Sequence, residues 1–125
     1  MSERILLLGS IDGHAATVIA HLLRGWEVRD LPYDRIAGVT LPPGEQGKVG
    51  LVVLQSRQES EAEIVRWCRA VKANPHLAGA KLLVALDPDL AGQYSAARSA
   101  GADECLMVPA SAGHVEKLLQ KLLGG

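Results

Sequence analysis

Short, uninterrupted runs of apolar residues alternate with amphipathic segments along this chain. The continuous runs occupy residues 5–8, 51–54, 82–86 and 105–108, and an alternating apolar–polar stretch occupies residues 26–31. Runs of this length are typical of β-strands, and runs that are apolar at every position indicate strands covered on both faces. In the segments between them, apolar residues recur at spacings of three and four, which predicts helices. We therefore expect strand and helix to alternate five times.

The segments that link these predicted elements are short, so consecutive strands are expected to run parallel, with right-handed helical crossovers. This pattern predicts an α/β fold of the flavodoxin-like type. It is a three-layer α/β/α sandwich around a five-stranded parallel sheet in the order 2-1-3-4-5. We expect residues 1–125 to form one domain. Residues 33–50 give the weakest pattern, and their prolines and glycines predict one short helix and a loop.

Composition excludes several classes of function. The net charge is −1 and acidic and basic residues are interspersed, whereas a nucleic-acid-binding surface needs clustered basic residues. The apolar runs are too short to span a bilayer, and no signal segment opens the chain, so we expect a cytoplasmic protein without membrane contact. Cys68 and Cys105 lack metal-ligand spacing and are predicted to be buried, reduced thiols.

Sheets of this order bind ligands beyond the carboxyl ends of their strands, near the switch point between the first and third strands. No glycine-rich phosphate loop and no nucleophile motif occurs in this chain, so the edge itself is the place to look for chemistry. The residues predicted to form this carboxyl-end rim are Gly9, Ser10, Asp12, Gln55, Ser56 and Asp87.

Two segments of the chain resemble the receiver domains of bacterial response regulators. Residues 71–77, followed by the apolar run at 82–86, are similar to the end of the third helix and the fourth strand of that family. Residues 96–109 resemble its Ala-Gly-Ala-Asp-x-aromatic-Leu-x-Lys-Pro segment, which precedes an amphipathic last helix. With the first strand and helix added, the resemblance covers nearly the whole chain except residues 33–50.

Carried over residue by residue, this resemblance argues against phosphotransfer. The paired acids that hold Mg²⁺ in receivers fall on Gly9 and Ser10, which offer no carboxylate. The phosphate-accepting Asp falls on Gln55, and a carboxamide cannot form an acyl phosphate. The switch Ser/Thr falls on Asp87, and the Lys that pairs with the phosphate falls on Val108. The resemblance therefore implies a degenerate pseudo-receiver with no catalytic residue, metal or cofactor, which is not an enzyme.

A receiver fold without phosphorylation implies a protein-interaction or dimerisation module in bacterial signal transduction or regulation. In receivers, the surface formed by the fourth helix, fifth strand and fifth helix often carries partner contacts. The expected occupant here is a protein partner or a second copy of the chain. The residues predicted on this surface are Tyr94, Arg98, Met107, His114, Lys117 and Lys121.

A second resemblance leaves an alternative open. Asp12-Gly13-His14, ahead of the first helix, resembles the Asp-x-His-x-x-Gly region of cobalamin-binding domains, whose His binds cobalt. Ser56 would then match the serine beneath the nucleotide tail. However, Thr17 stands where the motif has glycine, and Leu86-Asp87 replaces a glycine pair that makes room for the tail. The alternative function is therefore binding of cobalamin or another small ligand.

The histidines otherwise fit a solvated role. Asp12 is suited to cap the first helix, with His14 on its solvated face. His14 and His21 are seven residues apart, roughly 10 Å along a helix, which is too far to share a metal ion. His76 and His114 have no partner in the sequence and are predicted to be solvated.

Overall fold

The computed structural model describes residues 4–9, 13–32, 35–36, 38–45, 47–56, 61–77, 79–86, 88–107 and 111–123. For residues 13–15, 56, 61, 88, 90 and 91 it describes the backbone alone. The regular elements are β1 (Ile5–Gly9), α1 (Gly13–Leu22), β2 (Glu27–Leu31), β3 (Val49–Ser56), α2 (Glu61–Ala73), β4 (Lys81–Leu86), α3 (Tyr94–Ser99), β5 (Glu104–Met107) and α4 (Ala112–Leu123). A 3₁₀ helix at Pro75–Leu77 follows α2, and another at Pro88–Gln93 leads into α3.

The five strands form one parallel sheet in the order β2-β1-β3-β4-β5, which confirms the predicted fold class and topology. The predicted third, fourth and fifth helices are α2, α3 and α4. Of the short helix predicted between β2 and β3, Arg35 and Ile36 are described and are helical. No helix within the described ranges is both long and apolar enough to cross a membrane.

Alternate residues of each central strand face opposite helical layers, which is why those strands are apolar throughout. Leu7 of β1 and Val52 of β3 belong to a core with α2 and α3. Leu6 of β1 and Val53 of β3 belong to a second core with α1 and α4. β2 lies at one edge, where Val28 is exposed. The sheet is therefore sandwiched between two helix pairs, as the alternation of the sequence predicts.

The segment between β2 and β3 is attached to the turn that follows α2. Asn74 Nδ2 donates a hydrogen bond to the carbonyl of Val39 at 3.0 Å. The Leu41 N–H donates to His76 Nδ1 at 3.1 Å, and the Leu41 side chain is buried. The prediction that His76 is solvated and unpartnered was wrong, because its partner is a backbone group 35 residues away that no local pattern reveals.

Candidate functional site

The two rim residues that the structure describes in full, Gly9 and Gln55, lie on neighbouring strands. Gly9 ends β1 and pairs with Leu31 of β2 and with Leu54 of β3. Gln55 follows Leu54, pairs with Ala85 of β4, and is only 4% exposed. The structure therefore brings Gly9 and Gln55 to the carboxyl-end rim beside the switch point of the sheet, where the sequence places them.

The other predicted rim residues are described in part or not at all. Ser56 is the last residue of β3 and pairs with Leu86, the last residue of β4. His14 is the second residue of α1. The side chains of Ser56 and His14 lie outside the described part of the structure, and so do the residues Ser10, Asp12, Asp87 and Val108 in full.

The space behind the end of β4 is filled by protein. Leu86 is fully buried and belongs to the core shared with α2 and α3. In the cobalamin-binding domains that residues 12–14 resemble, a glycine pair at this place makes room for the nucleotide tail. In this chain the larger Leu86 side chain is packed there instead.

The described residues offer neither a clustered metal site nor an exposed thiol. They contain no group of three or more His, Cys, Asp or Glu side chains that could hold a metal ion. Cys68 and Cys105 are free and buried, as predicted. Burial raises the pKa of Cys68 to about 12 and that of Cys105 to about 11. Both therefore remain neutral thiols at physiological pH, which makes them poor nucleophiles.

The surface predicted to bind partners is organised by Glu104, the first residue of β5, which is 6% exposed. Its Oε1 accepts hydrogen bonds from Arg98 Nη1 at 2.9 Å, from the Tyr94 hydroxyl at 3.2 Å and from the Cys105 N–H at 3.1 Å. Its Oε2 accepts from Lys121 Nζ at 2.9 Å. One buried carboxylate thus joins α3, β5 and α4, and we call the surface around it the α3–β5–α4 face.

Glu104 is ionised at neutral pH. Burial by itself raises the pKa of this carboxyl. The Lys121 ammonium, the Cys105 N–H and the Arg98 guanidinium together outweigh that effect and lower the pKa to about 2. A buried charge is stable only when it is paired in this way. Glu104 is not among the residues singled out from the sequence. The available signal was an acid at the start of an otherwise apolar strand.

The remaining predicted residues of this face do not join the Glu104 cluster. Met107 ends β5 and is partly buried against the core. His114 and Lys117 are exposed on α4, and Lys117 makes no hydrogen bond or ion pair with any residue that the structure describes. The face thus has a centre of Tyr94, Arg98 and Lys121 around Glu104, and it is flanked by Lys117, which has no partner among the described residues.

The Gly-Ala-Asp segment that carries the family resemblance has a clear structural role. Gly101 has a φ of +121°, and an added Cβ there would lie 2.7 Å from the Lys72 Cγ. Ala102 is buried. The Asp103 Oδ2 accepts hydrogen bonds from the Leu82 N–H at 2.8 Å and from Lys72 Nζ at 3.0 Å. The segment therefore closes the end of α3 tightly and fixes the start of β5 against β4 and α2.

Comparison with known proteins identifies the fold. No family model and no curated protein matches the chain. Among solved structures, it is similar to the receiver domain of a two-component histidine kinase from Clostridium thermocellum (14% identity, 98% of each chain, TM-score 0.73). It is also similar to the CheY-like protein TadZ from Pseudomonas aeruginosa (16% identity, 100% of this chain and 96% of that chain, TM-score 0.71). The receiver domain of the sensor histidine kinase PA1611 from P. aeruginosa matches at 17% identity, over 98% of this chain and 99% of that chain, with a TM-score of 0.70.

Proposed function

We propose that this receiver-fold chain cannot be phosphorylated and that it acts as a protein-interaction module in signal transduction or regulation rather than as an enzyme. The observation that carries the proposal is the position of Gln55, buried at the carboxyl end of β3 beside Gly9 of β1. In receivers this place belongs to the aspartate that accepts the phosphoryl group.

The chemistry of these side chains supports the first half of the proposal. An acyl phosphate forms when a carboxylate oxygen attacks phosphorus, and the neutral carboxamide of Gln55 has no such oxygen. Mg²⁺ prefers carboxylate ligands. Gly9 has no side chain, and the sequence has Ser10 and Val108 where receivers have an acid and a lysine. Nucleophile, metal ligands and phosphate-binding cation are thus all replaced.

The α3–β5–α4 face supports the second half. Arg98 and Lys121 pair with one carboxylate, Glu104, which is buried, and Lys117 adds a third cation on the same side of α4 as Lys121. In a symmetric contact between two such faces, these cations would lie opposite one another, and like charges across an interface are unfavourable. We therefore assign this face to a different protein with an acidic surface. The similar structures include histidine kinase receivers and TadZ, so the fold does not select a pathway.

The phosphorylation half is tested by incubating the purified chain with Mg²⁺ and acetyl phosphate and measuring its intact mass. We expect no phosphoryl adduct, and no rise in melting temperature with Mg²⁺ and beryllofluoride, because a ligand of the native state must stabilise it. A chain carrying Gly9→Asp, Ser10→Asp, Gln55→Asp, Asp87→Thr and Val108→Lys, which restores every replaced group, is the positive control. Stoichiometric phosphorylation of the unaltered chain would overturn the proposal.

The same thermal assay separates the cobalamin alternative. Hydroxocobalamin is expected to leave the melting temperature unchanged. Stabilisation by hydroxocobalamin that disappears in His14→Ala would instead establish the small-ligand function.

The interaction half is tested with two matched charge reversals. Lys117→Glu changes the α3–β5–α4 face. Arg69→Glu makes the same change of charge at an exposed position of α2. Immobilised chains are incubated with extract from the source cells, and bound proteins are quantified by mass spectrometry. We expect an acidic protein retained by the unaltered chain and by Arg69→Glu, and reduced about tenfold by Lys117→Glu, since losing a favourable rim contact and adding a repulsive one weakens association. Equal retention by both variants would contradict the assignment.

A further inference from the structure

A second surface, separate from the α3–β5–α4 face, lies between α1 and α4. These helices share one layer of the sandwich, and their carboxyl-terminal halves leave an open groove of about 290 Å³ between them. Leucines form most of its walls, and two polar side chains line one edge. The lining residues are Leu22, Leu23, Glu116, Leu119, Gln120 and Leu123.

α4 presents different residues to the two surfaces. Glu116, Gln120 and Leu123 recur at helical spacing and line the groove. Lys121 is directed to Glu104 on the other side of the same helix. A molecule that fills the groove can therefore leave the α3–β5–α4 face accessible.

The charges beside the groove are arranged in a self-complementary way. The α4 wall carries Glu116, and the α1 side ends with exposed His21 and Arg24. The side chains of Arg24 and Glu116 form no hydrogen bond or ion pair with each other, or with any other residue in the described ranges. A twofold axis that places α1 of one copy against α4 of another would allow Arg24 to pair with Glu116 at two symmetric positions.

The rest of the molecule does not oppose this association. The net charge of the chain is −1, so two copies experience little long-range repulsion. Leu22, Leu23 and Leu123 are only partly buried in one copy, and they would lose further contact with water in a pair. The groove combines apolar walls with opposite charges on its two sides, and a twofold contact can pair such a surface with itself.

We propose that the α1–α4 groove is the contact surface of a homodimer in which two copies pack antiparallel, each inserting Leu23 and Leu123 at the groove of the other. The occupant is thus a second copy of this chain. This goes beyond the proposed function, because it assigns self-association to one surface and leaves the α3–β5–α4 face of each copy for a different protein.

Charge reversals at Arg24 and Glu116 provide the test, with dimer dissociation measured by sedimentation velocity over a range of concentrations. Arg24→Glu and Glu116→Arg are each expected to weaken the dimer about tenfold or more, because each replaces both attractive pairs with repulsive ones. When the two variants are mixed, both pairs become attractive again. Native mass spectrometry of isotope-labelled mixtures should therefore show a heterodimer favoured over either homodimer.

Controls separate this surface from general effects of charge and folding. Lys117→Glu, on the exposed part of the same helix, should change the dimer dissociation constant by less than about twofold, because Lys117 does not line the groove. Leu123→Lys should abolish the dimer while keeping the far-ultraviolet circular dichroism and a cooperative melt. A monomer up to about millimolar concentration would overturn the proposal, and so would a dimer indifferent to Glu116→Arg or a mixture with no preference for the heterodimer. Phosphorylation and acidic-partner assays do not depend on these outcomes, so the two proposals fail separately.

Discussion

Leu82 and Asp103 exchange two hydrogen bonds at the amino-terminal ends of β4 and β5. The Leu82 N–H donates to Asp103 Oδ2 at 2.8 Å, and the Asp103 N–H donates to the Leu82 carbonyl at 2.8 Å. Lys72 of α2 reaches the same carboxylate oxygen at 3.0 Å. The aspartate therefore extends the β4–β5 pairing by one step and attaches a helix to it.

Replacing Asp103 tests the strength of this junction. Asp103→Ala is expected to lower the free energy of unfolding by about 1–3 kcal/mol, because the N–H of buried Leu82 loses its acceptor. Asp103→Asn keeps an oxygen for that N–H and loses only the charge that faces Lys72, so it should lower stability less. Urea unfolding followed by circular dichroism measures both, and equal losses for the two variants would contradict the hydrogen-bond explanation.

Gly101 and Gly79 form a matched pair for testing the turn before β5. Both have positive φ, +121° and +88°, but an added Cβ meets Lys72 only at Gly101. Gly79→Ala is expected to lower stability by about 1 kcal/mol through backbone strain alone. Gly101→Ala should lower it by about 2 kcal/mol or more, since Lys72 must also move away from Asp103. Thermal melts of the two variants compare them directly, and a smaller loss for Gly101→Ala would refute the steric argument.

The Glu104 cluster predicts a stability difference at neutral pH. Glu104→Gln keeps the shape of the side chain and removes the charge that holds Arg98 and Lys121, so we expect a loss of about 1–3 kcal/mol at pH 7. Both cations are themselves exposed and can return to water, which keeps the loss below that of a fully buried pair. Asp30→Asn, at an exposed position of the edge strand β2, is the control and should change stability by less than about 0.5 kcal/mol.

The same variant predicts a pH dependence. The pKa of Glu104 is about 2 in the folded chain, below the value of about 4.3 for an unfolded glutamate. A group whose folded pKa is depressed contributes stability that is complete above its unfolded pKa and is lost as pH falls through the folded one. The stability gap between the unaltered chain and Glu104→Gln should therefore be constant above about pH 5.5 and shrink toward pH 2. Urea midpoints of both chains at several pH values measure this gap, and a gap that grows on acidification would contradict the lowered pKa of Glu104.

The His76 contact predicts a local effect. His76→Ala removes the acceptor of the Leu41 N–H, so the exchange rate of that amide with solvent should rise at least tenfold, while amides of β3 and β4 keep their protection. His114→Ala, at an exposed position on α4, is the control and should leave Leu41 unchanged. Uniform loss of protection across the sheet would show that His76 supports the whole fold rather than this segment.

The fold was readable from the sequence because its signals are local. Continuous apolar runs mark strands covered on both faces, and the runs at 51–54 and 82–86 coincide with β3 and β4 to within two residues at each end. The short links then leave parallel pairing as the solution, which fixes the position of Gln55 beside Gly9.

The contacts that stabilise the candidate surfaces were not readable in the same way. Tyr94, Arg98 and Lys121 were predicted on one face, but their common partner Glu104 is reached through tertiary packing across as many as 17 residues of sequence. The link between Leu41 and His76 spans 35 residues. Side-chain pairing at such distances depends on how helices sit on the sheet, and no periodicity in the sequence encodes it.

Asp103 and Gln55 occupy opposite ends of the sheet: the first where β4 and β5 begin, the second where β3 ends. The contacts of Asp103 with Leu82 and Lys72 share no residue with the pairing of Gln55 with Ala85, so we expect substitutions at one end to leave the other end unchanged. On the proposed function, a chain without the phosphotransfer groups can still retain the Gly-Ala-Asp segment, because that segment fixes the start of β5 against β4 and α2. The Gly-Ala-Asp segment therefore indicates the fold of a chain, whereas its activity depends on the residues at the carboxyl ends of the strands.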